Sequence, residues 1–352
     1  MSFARESRTG FISAKSKTKG ELKTMINCRC IGIDVGYGYT KIVTDNGNGL
    51  ITPITFRSVV GTYEDGIQVE GLKSSTKEIV TVSNQRFLVG SSALKHSNRI
   101  LNGREKGWIN SIAYTVLLKY ALQVIEANSV DLTITTGLPV NYYKSDKEKL
   151  TNLIRDLAQD YCINLTVKVI PQPLGSFFNL LFGSNSTIAT PGLSSEKVGV
   201  LDIGFYTTDL ITVHELEIVD KQIDSFENGI STALDAISKD IEDTYGMRPD
   251  LYKTEQAVKQ GYVKAFGAEK DIRFIAQQRL TELAQEITAK AKTIWKSAAD
   301  IDRVVLTGGG ASLLKSYLNL YQHATVIEDA QFANSMGYYK LAKRIYAGGG
   351  GA

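Results

Sequence analysis

Two stretches of this chain place a carboxylate, a glycine, an aromatic residue and a threonine at matching offsets. They are Ile33-Asp34-Val35-Gly36-Tyr37-Gly38-Tyr39-Thr40 and Leu201-Asp202-Ile203-Gly204-Phe205-Tyr206-Thr207-Thr208. In each, an apolar run before the Asp and another after the Thr predict two strands joined by a polar tip. Glycine at such a tip lets backbone amides approach an anionic group, because no Cβ stands in the way. One Asp per hairpin suits a hydrated Mg²⁺, an ion that keeps several waters and takes one or two carboxylates plus phosphate oxygens. Lys41, on the second strand of the first hairpin, can reach back as a point charge. A single Asp-x-Gly is simply good turn chemistry. Two copies with matching flanks favour a phosphate clamp made by a duplicated domain.

Two further places could join it. Arg303-Val-Val-Leu-Thr-Gly308-Gly309-Gly310 reads as a strand opening through three glycines toward a helix near Leu313. That arrangement brings backbone against a flat or anionic ligand, with the helix N-terminus favouring negative charge; a flexible connection is the alternative. Gln172 follows a strand between Pro171 and Pro173. A neutral amide held there could orient a water without being deprotonated, whereas alone it would be a loop residue. Other chemistry finds no support. His96, His214 and His323 lack metal-ligand spacing, and Cys28-Arg-Cys30 is shorter than zinc or redox motifs. Walker, nucleophile-elbow and basic DNA-recognition signatures are missing from the sequence.

The elements that must position these residues follow from composition and periodicity. The chain has 352 residues, 43% of them hydrophobic and 22% charged, with three cysteines and a formal net charge of +3. That excludes a disordered chain, a collagen-like repeat or a disulfide scaffold, and the length predicts two domains. Without an apolar run of roughly 20 residues or a secretory signal, a cytoplasmic protein with no membrane contact is expected. Residues 1–24 carry six basic residues against two acidic ones and read as a mobile leader. The rest holds 34 basic and 35 acidic residues, so the charge gives no support for direct nucleic-acid binding by the core. The patterning predicts a first domain over 25–192 with a smaller β-rich part at about 53–106, and a helix from Trp108 to Ala127. It predicts a second domain over 198–332, largely helical between 232 and 299, with a smaller subdomain at about 232–285. A last helix is predicted over 333–347, and a Gly-rich tail covers 348–352.

An N-terminal Asp-x-Gly hairpin with Lys41, a Pro-Gln-Pro segment, a second Asp-x-Gly hairpin, a Gly-Gly-Gly turn and a closing helix resemble, in order and spacing, the actin-like ATPases over nearly all of residues 30–347. The Ile-Asp-Val-Gly-Tyr-Gly-Tyr-Thr-Lys, Thr-Gly-Leu-Pro and Pro-Gln-Pro-Leu-Gly-Ser-Phe stretches look most like ParM-like plasmid-segregating actins and related archaeal actin-like proteins. The resemblance implies an α/β fold, duplicated and ribonuclease-H-like, with a nucleotide cleft between the two domains, and ATP and Mg²⁺ as cofactors. It implies that Asp34 and Asp202 hold the Mg²⁺ water shell, that Gly36, Tyr37 and Gly38 cradle phosphate, and that Lys41 pairs the β/γ charge. Gln172 would orient the attacking water, a place where ParM-like members often carry Glu. Gly204 and Phe205 would meet the γ-phosphate, Gly308, Gly309 and Gly310 the adenosine, and Gly229 would open a helix beside the nucleotide. Tyr37 stands where many actins carry a Ser or Thr hydroxyl, so a backbone contact is expected there. Function and partners follow as expectations: ATP hydrolysis coupled to self-association into filaments, acting on plasmid DNA through a DNA-bound adaptor protein. A cell-shape actin is the alternative, and a small-molecule kinase of the same superfamily the more remote one.

Overall fold

The computed structural model describes residues 28–45, 50–65, 77–101, 107–125, 130–159 and 161–349. The basic leader and residues 350–352 lie outside the described residues.

The first half begins with the hairpin of β1 (Cys28–Val35) and β2 (Tyr39–Thr44), followed by β3 (Thr52–Arg57) and β4 (Val60–Thr62). Then come β5 (Ile79–Val82), β6 (Gln85–Val89), α1 (Gly90–His96) and β7 (Ile100–Leu101). The half continues through α2 (Ile112–Val124), β8 (Val130–Leu138), α3 (Val140–Ala158), β9 (Cys162–Pro171) and α4 (Pro173–Leu181). Its main sheet has the order β3-β2-β1-β8-β9, antiparallel on the hairpin side and parallel from β1 to β9. A second sheet, β5-β6-β4-β7, forms the smaller part. β1 is covered on both faces, which is why it reads as a nearly continuous apolar run. Ile31 and Ile33 pack with Leu117 and Leu122 of α2, and Cys30 lies on the opposite face.

The second half repeats the plan with β10 (Lys197–Ile203), β11 (Thr208–His214), β12 (Glu217–Ile218) and β13 (Asp224–Phe226). α5 (Ile230–Tyr245) and α6 (Leu251–Gln260) follow, each closed by a left-handed glycine, Gly246 and Gly261. β14 (Tyr262–Ala265), β15 (Ala268–Asp271), α7 (Arg273–Trp295), β16 (Arg303–Thr307), α8 (Gly309–Leu314), β17 (Ala324–Val326) and α9 (Ala333–Gly349) complete the chain. The sheet order β12-β11-β10-β16-β17 has the same pattern of antiparallel and parallel neighbours as the first sheet. The duplication read from the hairpins therefore extends to whole sheets.

The stretch between 232 and 299 is largely helical and also contains the β14–β15 hairpin, whose Phe266-Gly267 turn has φ of +50° and +82°. Three element bounds differ from those expected. The first-half helix starts at Ile112, because Ser111 accepts from Tyr114 N (3.1 Å) and caps it there; Trp108–Asn110 form a 3₁₀ turn before it. The β16–α8 connection turns at Gly308 (φ +88°), so α8 begins at Gly309 and not near Leu313. α9 extends to Gly349, taking in part of the Gly-rich tail.

The two halves are joined by an exchange of helices. α4, which leaves the first sheet, packs through Phe177, Leu181 and Phe182 on Val198, Val200, Ile211 and Val305 of the second sheet. α9, which leaves the second sheet, packs on the first through Tyr339 and Ala342 against Cys30 and Val43. The helices also pack on each other, and a Cβ at Gly175 would lie 2.7 Å from the Asn334 carbonyl oxygen. This glycine contact lets the backbones come together between the lobes.

Candidate functional site

The tips of the β1–β2 and β10–β11 hairpins face each other across a cleft between the lobes, with a volume of about 1100 Å³ including space open to solvent. Its lining includes Asp34, Gly36, Tyr37, Gly38, Lys41, Gln172, Asp202, Gly204, Phe205, Gly308, Gly309 and Gly310. Of the glycines singled out in the sequence, Gly229 does not line it. It lies behind the second hairpin, where a Cβ would stand 2.6 Å from the Phe205 carbonyl oxygen, and its N–H donates to Tyr206 O at 3.0 Å. Its role is to seat α5 against the hairpin, and the next residue, Ile230, reaches the cleft.

Asp34 sits at the end of β1, 4% exposed. Its two oxygens are engaged: Lys41 Nζ donates to Oδ2 at 2.8 Å and Gln172 Nε2 to Oδ1 at 3.2 Å. Asp34 and Lys41 are cross-strand partners, so the ion pair follows from hairpin register. Gln172 occupies the N-cap position of α4, and Tyr338 of α9 donates its hydroxyl to the Gln172 backbone carbonyl oxygen at 3.0 Å. The carboxamide is therefore oriented by Asp34, with its own oxygen at the far end.

Asp202 is 3% exposed, and Asn334 Nδ2 donates to its Oδ2 at 2.6 Å. Burial, with the nearby Asp209 carboxylate adding to it, pushes Asp202 up to about 7. Asp209 is the cross-strand partner of Asp202, and burial raises it too. Gly308 could not be replaced here, since its φ is positive and a Cβ would collide with Asp202 Oδ1. Gly310 packs on Ile203, but a Cβ on Gly309 would meet nothing within 4 Å. The site thus concentrates the buried carboxylates Asp34, Asp202 and Asp209 at the end of the cleft that holds Lys41, an electrostatic arrangement that a cation carried by a polyanionic ligand would complete. Among the described residues no group of three or more His, Cys, Asp or Glu forms a self-sufficient metal cage. Asp34 and Asp202 fit instead the donor set of a hydrated divalent ion shared with phosphates.

Tyr37 turns its ring onto Trp108 (5.2 Å, 22°) and Tyr206 (5.2 Å, 45°), an aromatic wall that leaves its backbone at the hairpin tip. Above the cleft, Tyr39 donates its hydroxyl to Glu255 Oε2 at 2.9 Å, while the Arg57 guanidinium lies 4.7 Å from the Tyr252 ring centroid. Glu255 is paired with Lys259, and both line the cleft. Sequence reasoning missed Glu255, Lys259, Asn334, Gln331 and Tyr142 as cleft residues. Glu255 and Lys259 carry one local signal, opposite charges four residues apart on a helix, but that pattern is also common on solvated faces.

No helix of the described residues is long and apolar enough to cross a membrane. The family model of actin-like proteins, N-terminal domain, matches residues 32–175, and that of the archaeal actin homologue MreB-like, C-terminal, matches residues 200–320. An archaeal actin homologue of Thermoplasma volcanium is 27% identical over 342 residues, covering 89% of this chain and 98% of its own. One from Thermoplasma acidophilum is 26% identical over 340 residues, with the same coverage of 89% and 98%. Among solved structures, a ParM from a 15-stranded filament of Clostridium botulinum superposes with a TM-score of 0.71 at 21% identity, covering 90% of this chain and 99% of that one. An archaeal actin homologue in complex with ADP gives 0.69 at 21% identity, covering 89% and 99%. With both halves matched by such models and the duplicated two-lobed fold shared over nearly the full length of these structures, the chain belongs to the actin-like proteins.

Proposed function

We propose that this chain binds ATP with Mg²⁺ in the interlobe cleft, hydrolyses it, and self-associates into filaments whose stability follows the state of the nucleotide. The observation that carries the reading is the convergence of two equivalent Asp-x-Gly hairpins, Lys41 and the Gly308–Gly310 turn on one cleft. The amides of Gly36, Tyr37, Gly38, Gly204 and Phe205 are the phosphate cradle, and Lys41 supplies positive charge beside it. Asp34 and Asp202 would hold the water shell of Mg²⁺, which would supply charge neutralisation on the phosphates. Gln172, with one N–H committed to Asp34, offers its carbonyl oxygen to a water and orients it toward the γ-phosphorus. An amide at this place positions water without acting as a base, so hydrolysis is slow. Gly308–Gly310, Glu255 and Lys259 are on the adenosine side. Support also comes from the similar chains, one solved with ADP and one in a filament.

The same reading makes the protein cytoplasmic and makes its cargo plasmid DNA, held through a DNA-bound adaptor, since the near-neutral net charge of the core gives no support for direct DNA binding. The MreB-like match of the second half favours a second reading, a cytoskeletal filament with another cargo. Sedimentation with ATP, with ADP and without nucleotide, alongside phosphate release, tests the biochemical reading. ATP-dependent pelleting with phosphate release in the absence of any acceptor supports it, and a monomer in all three conditions refutes it. Loss of a low-copy plasmid on deletion of the gene separates the two cargo readings.

A further inference from the structure

Asn334, in the first turn of α9, is 4% exposed and has each end of its carboxamide committed. Its Oδ1 accepts from Ser176 N at 3.1 Å and from Ser176 Oγ at 2.7 Å; its Nδ2 donates to Asp202 Oδ2 at 2.6 Å. The orientation is dictated by its neighbours, because a backbone N–H can only donate and must face the amide oxygen. Ser176 in turn spends its hydroxyl proton on Asn334, so Thr307 donates to it across 2.7 Å. Ser176 and Thr307 are fully buried.

The partners of Asn334 in this network come from three other elements. Ser176 is on α4, four residues after Gln172; Thr307 ends β16, just before Gly308; Asp202 is the penultimate residue of β10. The backbone of Asn334 packs on Gly175, at the crossing of α4 and α9. With Oδ2 tied to Asn334, Asp202 keeps Oδ1 beside Gly308, at the cleft wall.

We propose that Asn334 is a positioning residue: its carboxamide fixes which oxygen Asp202 presents to the cleft and, through Ser176, ties that carboxylate to the α4 segment that begins at Gln172. The inference rests on the reading of the cleft as an ATPase site. Because Asn334 acts through Asp202, its effect on hydrolysis belongs to the pair, whereas a residue that only packs α9 would act independently of Asp202.

The test is a double-mutant cycle on the full chain with Asn334→Ala, Asp202→Asn and both together, following single-turnover phosphate release and the dissociation constant for ATP. Asn334→Ala is expected to slow release by roughly 10- to 100-fold, as loss of an outer-shell partner does, and to weaken ATP binding by less than about threefold. In the Asp202→Asn background the same change is expected to cost less than about twofold. Additive effects overturn the positioning role. Thermal unfolding of each variant checks the fold; a parallel cycle with Ser176→Ala, which loosens the amide without removing it, is expected to show a smaller loss that likewise vanishes with Asp202→Asn. Wild-type protein that releases no phosphate overturns the ATPase reading and this inference with it, whereas turnover with an additive cycle overturns the inference alone.

Discussion

Asp202 should weaken the nucleotide-free protein at neutral pH, and replacing it should stabilise the fold while impairing the ligand response. Burial and the Asp209 charge raise its carboxyl from the ordinary 3.8 to about 7. At roughly 1.36 kcal/mol for each pH unit of that rise, ionising the group inside the fold costs about 4 kcal/mol. The sign follows from proton linkage. Between about pH 4 and pH 7 the unfolded chain has released this proton while the folded chain keeps it, so stability falls as pH rises through that window and levels off above it. In Asp202→Asn the amide keeps a carbonyl to accept from Asn334 and carries no charge, so the pH slope from this group disappears. With part of the cost relieved in the wild type by local relaxation, a gain of about 2–4 kcal/mol at pH 7 corresponds, for a chain of this length, to a Tm rise of roughly 3–5 °C. Thermal unfolding of both proteins from pH 4 to pH 8 without nucleotide is the measurement. The curves should coincide near pH 4 and diverge up to pH 7. Addition of ATP and Mg²⁺ should raise the wild-type Tm and move the variant less, since the charge that disfavours the empty fold is the one the ligand uses. Parallel pH curves with equal Tm at pH 7 would refute the argument.

Gly308→Ala should fail to give a cooperatively folded protein, because the new Cβ meets Asp202 and Ile203, while Gly309→Ala should unfold within about 0.5 kcal/mol of wild type and lose ATP affinity in titration. Phe266, 86% exposed with φ of +50° at the β14–β15 turn, sits where Asn is more comfortable. Phe266→Asn should therefore stabilise the monomer by about 1 kcal/mol in denaturant unfolding, yet raise the concentration needed for ATP-dependent pelleting if this apolar tip serves self-association. Of the two tryptophans, Trp108 lines the cleft against Tyr37 and Trp295 is buried in the second lobe. The change in intrinsic emission on adding ATP should survive Trp295→Phe and vanish in Trp108→Phe.

The hairpins were legible because their signal is local: an apolar strand, an Asp at its end and a glycine tip lie within eight residues, and the second copy corroborates the first. Gly229 opens α5 as expected but does not itself line the cleft, since a glycine announces that backbone approaches without saying from which side, and here it is Phe205 and Tyr206 from behind. The β14–β15 hairpin escaped because its turn is Phe-Gly in place of Asn-Gly and its strands carry Lys, Glu and Asp, which read as helix. Asn334 had only the weak mark of a polar side chain opening an apolar helix. Its partners Asp202 and Ser176 lie 132 and 158 residues away, so the network exists only after the lobes have exchanged helices.

The duplication also shows where two equal scaffolds had to differ. The position opposite the hairpin Asp is Lys41 in the first copy and Asp209 in the second. In the first, the cross-strand pair is an ion pair that keeps a cation at the cleft wall, beside the proposed phosphate cradle. In the second, two buried carboxylates face each other, an arrangement that needs another source of stabilisation. Asp209 finds part of it in the other lobe: Val140 N donates to its Oδ1 at 3.0 Å, at the start of α3, which has Pro139 at its N-cap position and no side-chain cap of its own. Thr207 donates to the second oxygen at 3.1 Å, and Asn141 reaches Ser225 O beside it. Parting the lobes at this point would strip a helix N-terminus of its acceptor and leave a buried carboxylate short of a donor, two costs of the same sign. The copy with Asp in the place of the lysine is thereby gripped by the first lobe, so the hairpin that lines the cleft is also one that resists opening. A ligand that draws Asp202 toward its charged form acts on the strand pair that carries this grip, which gives lobe closure and cleft occupancy a shared physical element.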